Sequence, residues 1–241
     1  MFKQNTFKLW QLAMLVTLPS LLLACGDDTK EVEVIVEVPA PVPTPVDVSY
    51  QITVTNLTNA QPLSPVAVVL HTSGNLWTVG AVPSVELERM AEGGDNSGLL
   101  TLGLVSASGV APIGPGAQET INITIQDKTD ALLSVASMLV NTNDAFSGLN
   151  AWTLSNLMVG DSWTTYVGVY DAGTEVNSEL AGTIPGPADG GEGFNPLRTD
   201  TGYVAMHPGV VTSDDEFASS VLSSVHKFDN PALRITVTRT E

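Results

Sequence analysis

Cysteine is almost absent from this 241-residue chain, and Cys25 is the only one. A single thiol cannot close an internal disulfide, which excludes the small disulfide-stapled scaffolds of secreted proteins. Basic side chains are scarce as well: nine Lys and Arg stand against 26 Asp and Glu, for a formal net charge of −17. A field of that sign repels phosphate backbones and anionic lipid surfaces, and argues against nucleic-acid binding. There are three histidines, His71, His207 and His226, and none has metal-ligand spacing to another. The chain also lacks a Gly-x-Ser-x-Gly elbow, a P-loop, a dinucleotide fingerprint and a zinc pair. These absences remove the motif-borne chemistries, although carboxylate-only enzymes such as glycosidases leave no short motif.

Long apolar runs are missing everywhere except the N-terminus. Lys3 and Lys8 precede a mostly apolar stretch from Leu9 to Leu23, interrupted by Gln11, Thr17, Pro19 and Ser20. Its length suits the h-region of a secretion signal better than a spanning helix of about 20 clean apolar residues. The stretch closes on Leu22-Leu23-Ala24-Cys25, which resembles the lipobox of bacterial lipoproteins. That resemblance implies cleavage before Cys25 and acylation of its thiol, which also accounts for a lone cysteine in an exported chain. Two or more acyl chains hold a protein at a bilayer without a spanning segment. The alternatives are an ordinary secretory signal with an incidental cysteine and a buried N-terminal helix. Gly26 after the cysteine, in place of aspartate, favours the outer over the inner membrane. Removal of residues 1–24 takes away Lys3 and Lys8 and no acid, which moves the net charge from −17 to −19.

Residues 25–47 read as an acylated cysteine and a tether. Val and Glu alternate from Glu31 to Val38, and Pro39, Pro41, Pro43 and Pro45 then recur at every second position. Such proline spacing favours extended backbone, with a reach on the order of 60 Å. From Val48 to Glu241 short Val/Ile/Thr/Leu runs are separated by Gly, Pro, Asn and Asp. The spacing predicts strands over Tyr50–Leu57, Val66–His71, Glu119–Ile125, Leu132–Leu139, Trp152–Leu154, Ser162–Val169, Val204–His207 and Leu233–Arg239. Period-two alternation, as in Ile121-Asn122-Ile123-Thr124-Ile125, indicates sheets with one buried face. The expected fold is all-β: an antiparallel two-sheet β-sandwich over residues 48–241 with one or two short helices. One helix is predicted over Pro83–Glu92, capped by Ser84 and stopped by Gly93-Gly94, with Val85 and Met90 packed on a sheet edge. A second is expected over Phe217–His226.

Two segments carry concentrated oxygen chemistry. Ser137–Gly148 runs from a strand into Asn141, Thr142, Asn143 and Asp144, and Val169–Glu175 ends a strand at Asp171 and Glu175. If the chain reverses once between them, both loops emerge at the same end, and Asp144, Asp171 and Glu175 can converge. Three converging carboxylates repel one another, and a hard cation with oxygen ligands resolves that repulsion; calcium fits better than zinc. The alternative is that the aspartates serve as turn residues bonding nearby amides, with no ion.

At these residues the chain resembles the spondin domain family, found in extracellular-matrix proteins and in many bacterial exported proteins. The matching features are Leu63-Ser64-Pro65 leading into Val66–Leu70, the Leu99–Val110 stretch, Ser137-Met138-Leu139-Val140, Asn143-Asp144-Ala145-Phe146-Ser147-Gly148, Tyr170-Asp171-Ala172-Gly173-Thr174-Glu175, and His207-Pro208-Gly209. The resemblance implies a C2-like sandwich with calcium at one end, and adhesion or ligand binding in the animal members. Asp144, Asp171 and Glu175 match the family's acidic positions. Asn141 replaces the usual proline and Glu175 an aspartate, and the disulfides and thrombospondin-type repeats of animal members are lacking, so their partners do not carry over.

Together these features predict an exported, lipid-anchored binding or adhesion module of the cell envelope, not an enzyme. It would touch the membrane through its anchor only, hold calcium at Asp144, Asp171 and Glu175, and bind an unknown protein or glycan. The alternatives are a carboxylate-based hydrolase acting on an envelope or extracellular polysaccharide, and a purely structural envelope protein.

Overall fold

The computed structural model describes residues 44–241. The signal segment, Cys25 and nearly all of the tether therefore lie outside the described residues. Among the described residues, no helix is long and apolar enough to cross a membrane.

Among the described residues, ten strands form two antiparallel sheets. The first contains β1 (Asp47–Asn56), β4 (Gln118–Gln126), β7 (Ser162–Val167) and β10 (Leu233–Arg239), in the order β4-β1-β10-β7. The second contains β2 (Ala67–His71), β3 (Val105–Ser108), β5 (Leu132–Met138), β6 (Ala145–Thr153), β8 (Val169–Asp171) and β9 (Ala205–Met206), in the order β3-β2-β5-β6-β8-β9. The alternating residues of β1, β4 and β10 turn one apolar face inward. Val48, Tyr50, Ile52, Val54, Ile121, Ile123, Ile125, Ile235 and Val237 meet Val68, Leu70, Leu133 and Val135 from the other sheet in a single core. The all-β sandwich expected from the alternation is the fold of the chain.

The central strands of the six-stranded sheet are buried on both faces, and β2 shows why its sequence lacks alternation. Val68 and Leu70 point into the core between the sheets, whereas Ala67 and Val69 point outward into a second cluster with Leu87, Met90, Ala91 and Leu99. Those outer partners belong to α1 (Val85–Gly93) and α2 (Ser97–Leu100). The predicted helix is thus present, but it covers the outer face of the second sheet and not an edge. The 87-90-91 spacing places three apolar side chains on one stripe, and Val85 falls outside it and stays 50% exposed. Ser84 accepts the Leu87 N–H at 3.2 Å, and Gly94 ends the helix in the left-handed region at φ 70°.

Three further expectations need correction. Trp152–Leu154 overlaps the end of the longer β6, whose start was hidden by Ser147 and Gly148, which read as loop residues. Ser162–Val169 divides at Gly168, where the chain leaves the first sheet as β7 and enters the second as β8. Phe217–His226 is not a helix: only a 3-10 turn forms, at Ser224–His226. Ser220 instead bonds the Val211 carbonyl through its hydroxyl and bridges to Leu180, so local side-chain bonding displaces helical pairing.

Candidate functional site

Strand pairing brings the two acidic segments to one end of the sandwich. β6 runs antiparallel to both β5 and β8, so the loop leaving β5 and the loop leaving β8 emerge together. Ala145 stands opposite Asp171, and the Ala172 N–H donates to the Asp144 carbonyl at 3.2 Å. Asp144 is fully buried and Asp171 nearly so.

Asp144 has one satisfied oxygen and one orphan. Its Oδ2 accepts the Thr174 N–H at 2.8 Å, the Glu175 N–H at 3.1 Å and the Thr174 hydroxyl at 3.2 Å. Its buried Oδ1 has no partner. Burial, with the neighbouring Asp171 charge, raises its carboxyl well above the ordinary carboxylate range, against the lowering effect of the three donors. Both oxygens of Asp171 are hydrogen-bonded: Oδ1 accepts the Gly173 N–H at 2.6 Å and Oδ2 the Asn177 amide at 2.6 Å. The first of these is an Asx turn, so the turn-residue alternative describes Asp171. Gly173 sits at φ 70°, where an added Cβ would run into the Tyr203 carbonyl.

Glu175 borders an opening of about 200 Å³ together with Val176, Ser178, Thr183, Glu192, Asn195 and Thr199. Burial, then the charges of Glu92, Asp144 and Glu192, push its carboxyl up to about 8. Glu92 was not legible as a site residue. It lies near the C-terminal end of α1, where a negative charge opposes the helix dipole, and that misplacement was the one available signal. Its Oε2 accepts the Asn195 N–H at 2.8 Å and its buried Oε1 has no partner. Burial above all raises its carboxyl too.

His207 faces the same region from the residue after β9. It is buried, its Nδ1 accepts the Gly209 N–H at 3.0 Å, and its Nε2 is an orphan. Burial pushes the imidazole well below its usual range despite the attraction of Asp171. The cations near α1 are engaged elsewhere: Arg198 donates to both oxygens of Glu88, and Arg89 lies over the Phe194 ring at 4.2 Å.

No protein-family model matches the chain, and no curated protein matches it. The site must therefore be read from its own groups. An all-oxygen set with an orphaned buried carboxylate oxygen suits a hard cation such as calcium through Asp144 and Glu175. Asp171 already spends one hydrogen bond on each oxygen within its own loop. Among the described residues, no three His, Cys, Asp or Glu side chains are drawn onto one metal-ligating point.

Proposed function

We propose that the chain is an exported, lipid-anchored binding or adhesion module of the spondin type, with a loop end stiffened by calcium. The observation that carries the ion is the Asp144 carboxylate, buried and half-satisfied in a group of acids that form no ion pair among the described residues. Asp144 and Glu175 would supply oxygens, and Asp171 would hold the loop that presents them. Calcium bound there neutralises mutual repulsion, and the surrounding loop then presents a fixed surface to a protein or glycan ligand. The anchor rests on the Leu-Leu-Ala-Cys ending at Cys25.

Calorimetric titration of the full chain with calcium, with thermal melts in chelator, tests the ion. Saturable binding with a higher melting temperature is expected, and no binding together with no thermal shift would defeat the reading. Acyl labelling that is lost in Cys25→Ser tests the anchor.

One observation favours a second reading. Glu175, with its raised carboxyl, and Glu192 both line an opening, as the acid and base of a carboxylate hydrolase must. Release of reducing sugar from envelope polysaccharide, abolished in Glu175→Gln, would establish that alternative.

A further inference from the structure

We propose that the outer face of the four-stranded sheet is a binding surface for a neutral polysaccharide. This rests on the binding-module reading above and names its ligand class; it is independent of the ion.

Strand register builds the face. The side chains that alternate with the core residues of β1, β4, β7 and β10 point outward, and pairing sets them in rows across the sheet. Thr120, Thr53, Thr236 and Thr164 stand side by side across all four strands, and the row beside them carries only hydroxyls and amides. Polar groups therefore repeat about every 4.8 Å across the strands and about every 6.7 Å along them. The hydroxyls are tied in pairs: Thr53 with Thr120 at 2.8 Å, Thr164 with Thr236 at 2.9 Å and Ser162 with Thr238 at 2.7 Å. Each such bond fixes a rotor, and each pair still offers one donor and several lone pairs outward.

Charge selects the partner first. The chain has 26 acidic residues, yet Asp47 at one corner and Arg234 at another are the only charged side chains on the outward positions of these four strands. Arg234 is engaged within the face, donating to the Thr55 hydroxyl at 3.2 Å. Soluble surfaces ordinarily intersperse charges of both signs, so a sheet face cleared of carboxylates in a chain this acidic leaves one approach open to an uncharged polymer. Anionic glycans, lipids and nucleic acids find no cationic clamp there. A protein partner finds no cluster of apolar anchors, which carry most of the energy at protein interfaces. A neutral polysaccharide fits both the chemistry and the repetition, because its hydroxyls donate and accept at regular intervals, as these rows do. Tyr166 adds an aromatic plane on which the apolar side of a sugar ring can lie: it is 59% exposed and stands directly opposite Arg234.

The test is affinity electrophoresis of the full chain, in chelator, through gels containing dextran, laminarin or mannan, with alginate as the anionic comparison. Wild type is expected to be retarded by at least one of the neutral polysaccharides and not by alginate. Thr53→Val combined with Thr236→Val keeps the shape and strand preference of the central row while removing two hydroxyls, and should weaken binding roughly tenfold. Tyr166→Ala should also weaken it, whereas Tyr166→Phe, which keeps the aromatic plane, should bind as wild type. Should the double valine variant fail to fold, Tyr166→Ala, at an exposed position, carries the test. Neutral-polysaccharide binding unchanged in both the double valine variant and Tyr166→Ala would overturn the role of this face and leave a glycan-binding module standing. No retardation in any neutral gel, or equal retardation by alginate, would overturn the ligand class; saturable calcium binding by the same preparation would then show the ion reading standing by itself.

Discussion

Thr174 donates both its backbone N–H and its hydroxyl to one carboxylate oxygen of Asp144, while the other oxygen of that carboxylate is buried without a partner. The two residues are 30 positions apart and meet because β6 and β8 are neighbours in the six-stranded sheet. A structural role, holding the 174–175 backbone against β6, explains the first oxygen. It does not explain the second, and the calcium proposal starts from that asymmetry.

Asp144→Ala and Asp144→Asn separate the two roles. The alanine variant leaves the Thr174 and Glu175 amides without their acceptor, at a cost of about 2 kcal/mol, equivalent to roughly 4–8 °C in melting temperature for a domain of this size. Asparagine retains an acceptor and removes the buried charge. In chelator at pH 8 it is expected to melt at or above wild type, and to show no response to calcium. Thermal melts of both variants, with and without calcium, check this; a calcium response preserved in Asp144→Asn excludes Asp144 as a ligand.

Much of the sandwich was legible because alternation survives wherever a strand has one wet face. Ile121, Ile123 and Ile125 declared β4, and Ile235 and Val237 declared β10. β6 was hidden, since its first half is buried on both sides and built from Ala145, Phe146, Ser147 and Gly148. The juxtaposition of Asp144 and Asp171 followed from counting strand reversals. Glu92 could not be reached that way, because its approach to Glu175 depends on α1 lying across the outer face of the sheet, a tertiary fact that no local pattern encodes.

Gly173 fixes the turn that aims the Thr174 and Glu175 amides at Asp144. Its positive φ and the crowding of an added Cβ against the Tyr203 carbonyl act together. Gly173→Ala is expected to cost about 2–4 kcal/mol and to weaken calcium binding, although no ligand is altered. Denaturant unfolding checks the first effect and calorimetry the second. A change below about 1 kcal/mol would mean that the loop relaxes without strain.

Trp152 of β6 and Trp163 of β7 stack at 3.9 Å between ring centroids with planes 10° apart, one from each sheet. Parallel indoles this close couple their electronic transitions, so the folded protein should show an exciton couplet in circular dichroism that vanishes in Trp163→Leu. Because the pair is only partly buried, the same variant should lose about 1–3 kcal/mol. An unchanged couplet in Trp163→Leu would rule out this pair as its source.

Acidity should stabilise the calcium-depleted protein over a defined range. Asp144, Glu92 and Glu175 all have carboxyls raised in the folded state, Glu175 to about 8, chiefly by burial. The unfolded chain takes up those protons only near pH 4, so the folded state binds the excess protons between the two limits, and its stability is lost as pH rises through the folded values. His207 works the other way. Its imidazole is depressed, so below about pH 6.5 the unfolded chain binds the extra proton and stability drains as pH falls. The melting temperature in chelator should therefore climb from pH 8.5 to 6.5 and flatten or turn over below that. Calcium competes with the same protons, so its stabilising shift should be large at pH 8 and small at pH 6. A chelated melting temperature that falls between pH 8.5 and 6.5 would mean that these carboxyls are not strained by burial, and the case for a cation between them would go with it.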